Sequence, residues 1–115
     1  MNGLAKLELN LTGSFDEILS DIETEIVSGS ISASLEDRTD WQLGGVRCAV
    51  RVFERYSWTG GNRVSLNVTM LGQGNMIYLS AITSGGSQAL LLKVNTFGEE
   101  SFLECLEKIV VKYCR

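Results

Sequence analysis

From residue 30 onward the apolar residues recur at every second position, and this periodicity persists over more than half of the 115 residues. Successive side chains of a strand point to opposite faces of a sheet, so a chain patterned this way is committed to antiparallel strands with one oily and one wet face. Ile31, Ala33 and Leu35 alternate with serines. Val46, Cys48, Val50 and Val52 alternate with Arg47, Ala49, Arg51 and Phe53, and Val64, Leu66, Val68 and Met70 alternate with Arg63, Ser65, Asn67 and Thr69. The first set in each pair is expected to face the core. Segments 76–83 and 88–94 read as two more strands whose weaker polar alternation suits the sheet interior or cover on both faces. Turn residues punctuate the pattern at Asp37 to Asp40, Gly44-Gly45, Thr59-Gly60-Gly61-Asn62, Gly72-Gln73-Gly74-Asn75 and Ser84-Gly85-Gly86-Ser87. The chain has no proline, the strongest strand breaker.

The two ends follow other rules. Residues 4 to 11 alternate strictly, with Ala5, Leu7, Leu9 and Leu11 on one side and Lys6, Glu8 and Asn10 on the other, which predicts a first strand. Ser14 and Glu17 have the spacing of a capping box, Phe15, Ile18, Leu19, Ile22 and Ile26 recur at helical spacing, and Ser28-Gly29 is a stop. Thr96 and Glu99 form a second capping box ahead of the stripe Phe102, Leu103, Leu106, Ile109, Val110 and Tyr113, which predicts a C-terminal helix. Glutamates in its first half and Lys108, Lys112 and Arg115 later complement the helix dipole.

The order is therefore β-α-β-β-β-β-β-α across one domain, residues 1–115. Two amphipathic helices seek the single oily face of the sheet, which predicts a two-layer α+β fold with a curved antiparallel sheet and both helices packed on one face. This layout resembles a reduced START-like helix-grip architecture and the related TATA-binding-protein type of half domain. Its small size is similar to bacterial domain families of unknown function. The resemblance rests on element order and carries no functional residue with it.

Composition narrows the chemistry. With no histidine, Ser-His-Asp and Cys-His catalysis and the usual zinc sites are excluded, so the expectation is a protein that is not an enzyme and holds neither cofactor nor metal. Any catalysis would fall to Asp, Glu, Cys or Tyr. The carboxylates Glu36, Asp37 and Asp40 have no nucleophile or further metal ligand beside them, and their spacing suits a turn. Cys48, Cys105 and Cys114 are odd in number and lack C-x-x-C spacing, which reads as reduced thiols in a cytoplasmic protein, the first two as small core residues. No basic and apolar leader is present and no apolar run is long enough to span a bilayer, so neither export nor membrane insertion is expected.

Charge is polarised along the chain. Residues 1–40 carry net −7, residues 41–93 net +4, and the remainder net −1. Arg47, Arg51 and Arg55 share one parity on one strand and Arg63 takes the outward set of the next, so all four are expected on the wet face of one hairpin, with Phe53 and Trp58 in the same patch. If the turn centres near Thr59, Arg55 and Arg63 oppose each other. Such a patch would suit an anion or an acidic partner, or would simply be a solvated sheet face. Helix one presents Glu17, Asp21 and Glu25 with no compensating base. Trp41, Tyr56 and Tyr78, near strand ends, are placed at the mouth of an apolar pocket.

Two functional readings follow. In the first the domain binds a small hydrophobic or anionic ligand between sheet and helices or at the arginine hairpin. In the second it is a protein-interaction or homodimerisation module in which the acidic helix of one copy meets the arginines of another. A pI near 4.8 and the absence of a recognition motif argue against nucleic acid.

Overall fold

Ser14 caps the first helix as its spacing implies: its backbone is extended and its Oγ accepts the amide of Glu17 at 3.2 Å. The computed structural model describes residues 5–29, 32–56, 63–85 and 102–115. Strand β1 (Ala5–Thr12) leads into helix α1 (Phe15–Ser28), followed by β2 (Ser34–Leu43), β3 (Val46–Tyr56), β4 (Arg63–Gln73) and β5 (Met76–Gly85). A second helix, α2, spans 102–110 and closes with a 3-10 turn, Val111–Tyr113. The expected strand at 88–94, the turn at 59–62 and the Thr96 capping box lie outside the described residues.

All five strands pair antiparallel in the order β1-β5-β4-β3-β2, so β4 is central and β1, first in the chain, lies beside β5. Two-residue hairpins join β2 to β3 at Gly44-Gly45 and β4 to β5 at Gly74-Asn75. Gly44 and Gly74 take φ near +60° at the first central position, as a type II′ turn requires and a side chain resists. Asp37 to Asp40 make no turn; they lie inside β2. The two carboxylates have partners that suit an extended chain, because Asp37 Oδ1 accepts its neighbour's amide at 2.8 Å and Asp40 reaches across to Arg51.

Both helices bury their stripes on one face of the sheet. Phe15, Ile18, Leu19, Ile22 and Ile26 of α1 and Phe102, Leu103, Leu106 and Val110 of α2 join Leu11, Ala49, Phe53, Val64, Leu66, Val68, Met70, Ile77, Leu79 and Ala81 in one core. Each large side chain so removed from water contributes about 1.5–3 kcal/mol. The architecture is thus the two-layer α+β arrangement expected, with an antiparallel sheet under two helices.

The C-terminus is tied down twice. Cys114 bridges to Leu11 and the Arg115 amide donates to the Asn10 carbonyl at 3.0 Å, extending the sheet beyond β1. Tyr113 Oη donates to Asp21 Oδ2 at 2.5 Å, with Lys112 Nζ 3.8 Å from the same carboxylate. The acidic face of α1 therefore does have a compensating base, delivered from the far end of the chain. The hydrogen bond to Asp21 pushes the Tyr113 phenol up to about 12. An unfolded tyrosine ionises near pH 10, so the folded value lies above the unfolded one. The stabilisation is then complete below about pH 10 and lost as pH rises through about 12. A tyrosinate absorbance titration is expected to show a late component that Tyr113→Phe removes; an unchanged alkaline end in that variant would disprove the latch.

Candidate functional site

Strand β3 carries the residues that the charge pattern singled out, and its orientation is the reverse of the expected one. Arg51 pairs in register with Val68, and Phe53 with Leu66, both core residues of β4. The face bearing Arg47, Ala49, Arg51, Phe53 and Arg55 is therefore the helix face, and Val46, Cys48, Val50 and Val52 point away from it. Phe53 is fully buried and Arg51 is 4% exposed. Cys48 accordingly lies half-buried on the open face, outside the core.

The physical reason is the acidic helix itself. Arg51 Nε donates to Glu23 Oε2 at 2.5 Å, its Nη2 donates to Asp40 Oδ1 at 2.9 Å, and its Nη1 donates to the carbonyls of Val50 and Thr39. Burial works against the charge on Arg51, but the hydrogen bonds it donates to Glu23 and Asp40 outweigh it, leaving its pKa above the ordinary value. Arg47 Nη2 donates to Asp16 Oδ1 at 2.8 Å while its guanidinium lies 4.3 Å from the centre of the Phe15 ring. The hydrogen bond from Arg47 holds the Asp16 carboxyl below the usual range. Arg55 stacks over Phe102 of α2 at 4.3 Å, with Nη1 3.9 Å from Cys105 Sγ. The three arginines form an ionic and cation–π seam between the sheet and both helices. Arginines and acids of α1 thus meet within one chain, through Asp16 and Glu23 and not through the face Glu17, Asp21 and Glu25 expected to meet them between two copies.

Arg63 is separated from that seam. It pairs in register with Tyr56 while Arg55 pairs with Val64, so Arg55 and Arg63 are on opposite faces and do not oppose each other. Arg63 stacks on Tyr56 at 5.5 Å, forms an ion pair with Glu54 and lies 3.9 Å from Glu36. Trp58 lies outside the described residues.

The face away from the helices is the second distinctive surface. One register row crosses it as Trp41, Cys48, Leu71, Tyr78 and Asn10, and the next as Leu43, Val46, Gln73, Met76 and Thr12. Trp41, Leu43, Leu71, Met76, Tyr78 and Ile82 all lie on this face and are between 40% and 74% exposed. Trp41, Tyr56 and Tyr78 thus stand on the open face of the sheet, where the mouth of a pocket under the helices is not. Burial and a hydrogen bond with Glu8 raise the Tyr78 phenol. Leu43, Leu71, Met76 and Ile82 were not singled out from the sequence, although the parity of β4 placed Leu71 outward; the weak alternation of 76–83 left the side of Ile82 undecided. A large exposed apolar patch commonly marks an interaction surface.

Among the described residues no three His, Cys, Asp or Glu side chains are grouped as metal ligands. No helix of the described residues is long and apolar enough to cross a membrane.

Fold and surface together define a two-layer α+β domain in which both described helices pack on one side of the sheet and, among the described residues, no element covers the other. From residue 4 to residue 114 the chain matches a family of unknown function, DUF6054, and it belongs to that family. No curated protein matches it. Among solved structures it is similar to PA94 of Pseudomonas aeruginosa, described as a protein of unknown function and putative regulator. The TM-score is 0.51 at 10% identity, over 73% of this chain and 69% of that one. It is also similar to CV1439 of Chromobacterium violaceum, with TM-score 0.49 and 12% identity over 94% and 97% of the two chains. The likeness to PA94 is one of fold.

Proposed function

We propose that this domain is a non-catalytic protein-association module whose contact surface is the open face of its sheet. The observation that carries this reading is the patch formed by Trp41, Leu43, Leu71, Met76 and Tyr78 on two adjacent rows of one face, with Ile82 two rows further along the same face, all large, apolar and substantially exposed. Interfaces draw most of their affinity from aromatic and large aliphatic anchors near the centre of a patch, and Leu71 and Tyr78 occupy the middle of this one. The ligand reading is less favoured because two of its proposed anchors, Arg47 and Arg51, are engaged by Asp16, Glu23 and Asp40 and the helix face of the sheet is lined by packed core residues. The association reading moves from the arginines and the acidic helix to the opposite, apolar face of the sheet.

A paired capture experiment tests it. Wild-type protein and Leu71→Asp are immobilised at equal density. A charge at the centre of the face is expected to remove at least tenfold of the specific binding while leaving the melting temperature within a few degrees, since Leu71 is solvent-exposed. An identical set of bound proteins, in equal amounts, from both matrices would overturn the reading.

A further inference from the structure

Resting on that reading, we infer that the partner of the open face is a second copy of this chain, packed sheet to sheet about a two-fold axis that runs along β4. The first argument is area. Strands of ten or eleven residues in β2 to β5, five abreast, give a footprint of about 800 Å² per protomer, the size of a standard stable interface. Two such sheets pack with their strands within about 30° of each other, as an axis along the central strand permits.

The second argument is the chemistry of the rows, which is complementary under this rotation. Because β4 is the middle strand, the rotation exchanges β5 with β3 and β1 with β2. The row Asp37, Val52, Asn67, Ile82 and Lys6 then lies on its own reversed copy. Lys6 of one protomer meets Asp37 of its partner at both ends, and Ile82 meets Val52. In the row Trp41, Cys48, Leu71, Tyr78 and Asn10, Leu71 meets its own equivalent on the axis and Tyr78 covers Cys48. Val46 and Met76 cover each other in the outermost row. The other two-fold axis in the interface plane, perpendicular to the strands through the row Thr39, Val50, Thr69, Ser80 and Glu8, sets Glu8 against Glu8 and Asp37 against Trp41. Like charges and an unpaired carboxylate on indole make that arrangement inferior. Within one protomer Lys6 lies 3.9 Å from Glu8 and Asp37 accepts the Arg38 amide, and both side chains remain at the surface.

Sedimentation velocity on a micromolar dilution series of the full chain decides the matter. The wild type is expected to be a dimer. Lys6→Asp and Asp37→Lys singly should each weaken it about tenfold or more, since two symmetry-related attractions become repulsions, and the double variant should recover most of the loss. Leu71→Asp should give monomers. A monomeric wild type overturns the inference while leaving the association reading to the capture experiment. A dimer dissociated by Leu71→Asp and indifferent to both charge reversals overturns the proposed axis and keeps the face. A dimer indifferent to Leu71→Asp overturns both. All three positions are at the surface, and thermal melting of each variant confirms that a change in mass is not a change in folding.

Discussion

Arg51→Glu is expected to leave the domain largely unfolded at room temperature. The substitution would place a third carboxylate between Glu23 and Asp40, which now accept hydrogen bonds from Arg51 at 2.5 and 2.9 Å. It would also leave the carbonyls of Val50 and Thr39 facing a negative charge instead of a donor. Removing one partner of a buried ion pair costs about 3–5 kcal/mol, and reversing its sign costs more. A domain of this size has only about 5–15 kcal/mol to lose. The comparison that isolates the cause is Arg63→Glu: Arg63 is exposed on the open face and its ion pairs are with exposed or half-exposed carboxylates, so that variant should lose no more than about 1 kcal/mol. Chemical denaturation of the two variants checks the pair. Equal stabilities would mean that the arginine seam is not buried as described.

The second large effect concerns where α1 sits. Gly72 of β4 faces the helices, and a Cβ built there would fall 2.5 Å from Phe15 Cδ2, 3.0 Å from Phe15 Cε2 and 3.6 Å from Ile77. Phe15 is the first residue of α1, is buried, and supports the Arg47 guanidinium on its ring. The ring cannot retreat without giving up that stacking and moving the Asp16 carboxylate that Arg47 also holds. Gly72→Ala is therefore expected to cost about 2–3 kcal/mol through overpacking, in spite of alanine's better strand propensity. Phe15→Leu in the same chain should recover part of the loss, because a smaller side chain vacates the notch. A double-mutant cycle with no coupling between positions 15 and 72 would show that Gly72 is not the seat of this ring.

Much of the fold was legible because it depends on local rules. The Ser14 cap, the α1 stripe and the Gly29 stop are written in consecutive residues, and so are the two glycine hairpins. The parity of β4 was also readable, since Val64, Leu66, Val68 and Met70 contrast sharply with Arg63, Ser65, Asn67 and Thr69. Strand β3 misleads because both of its faces carry apolar residues: three valines and a cysteine on one, Ala49 and Phe53 on the other. With hydropathy undecided, local rules assign the arginines to the wet face, and only the position of Glu23 and Asp16 above the strand reverses that conclusion. Phe53 was the available signal. A phenylalanine sharing parity with Arg51 and Arg55 is as consistent with a buried face whose charges are neutralised from above as with an exposed one. Asp37 and Asp40 misled for a related reason. Their preference for turns is a short-range property, and pairing with β3 overrode it.

What the chain determines by itself is its set of elements: period-two strands, two capped or striped helices, and hairpins fixed by glycine. These follow from backbone sterics and from neighbours a few residues apart. Which side of β3 meets the helices, and hence that the arginines are internal and the aromatics external, was decided only in the assembled molecule. Charges brought together from residues 28 and 11 positions apart outweigh a hydropathy pattern that is nearly even on the two faces.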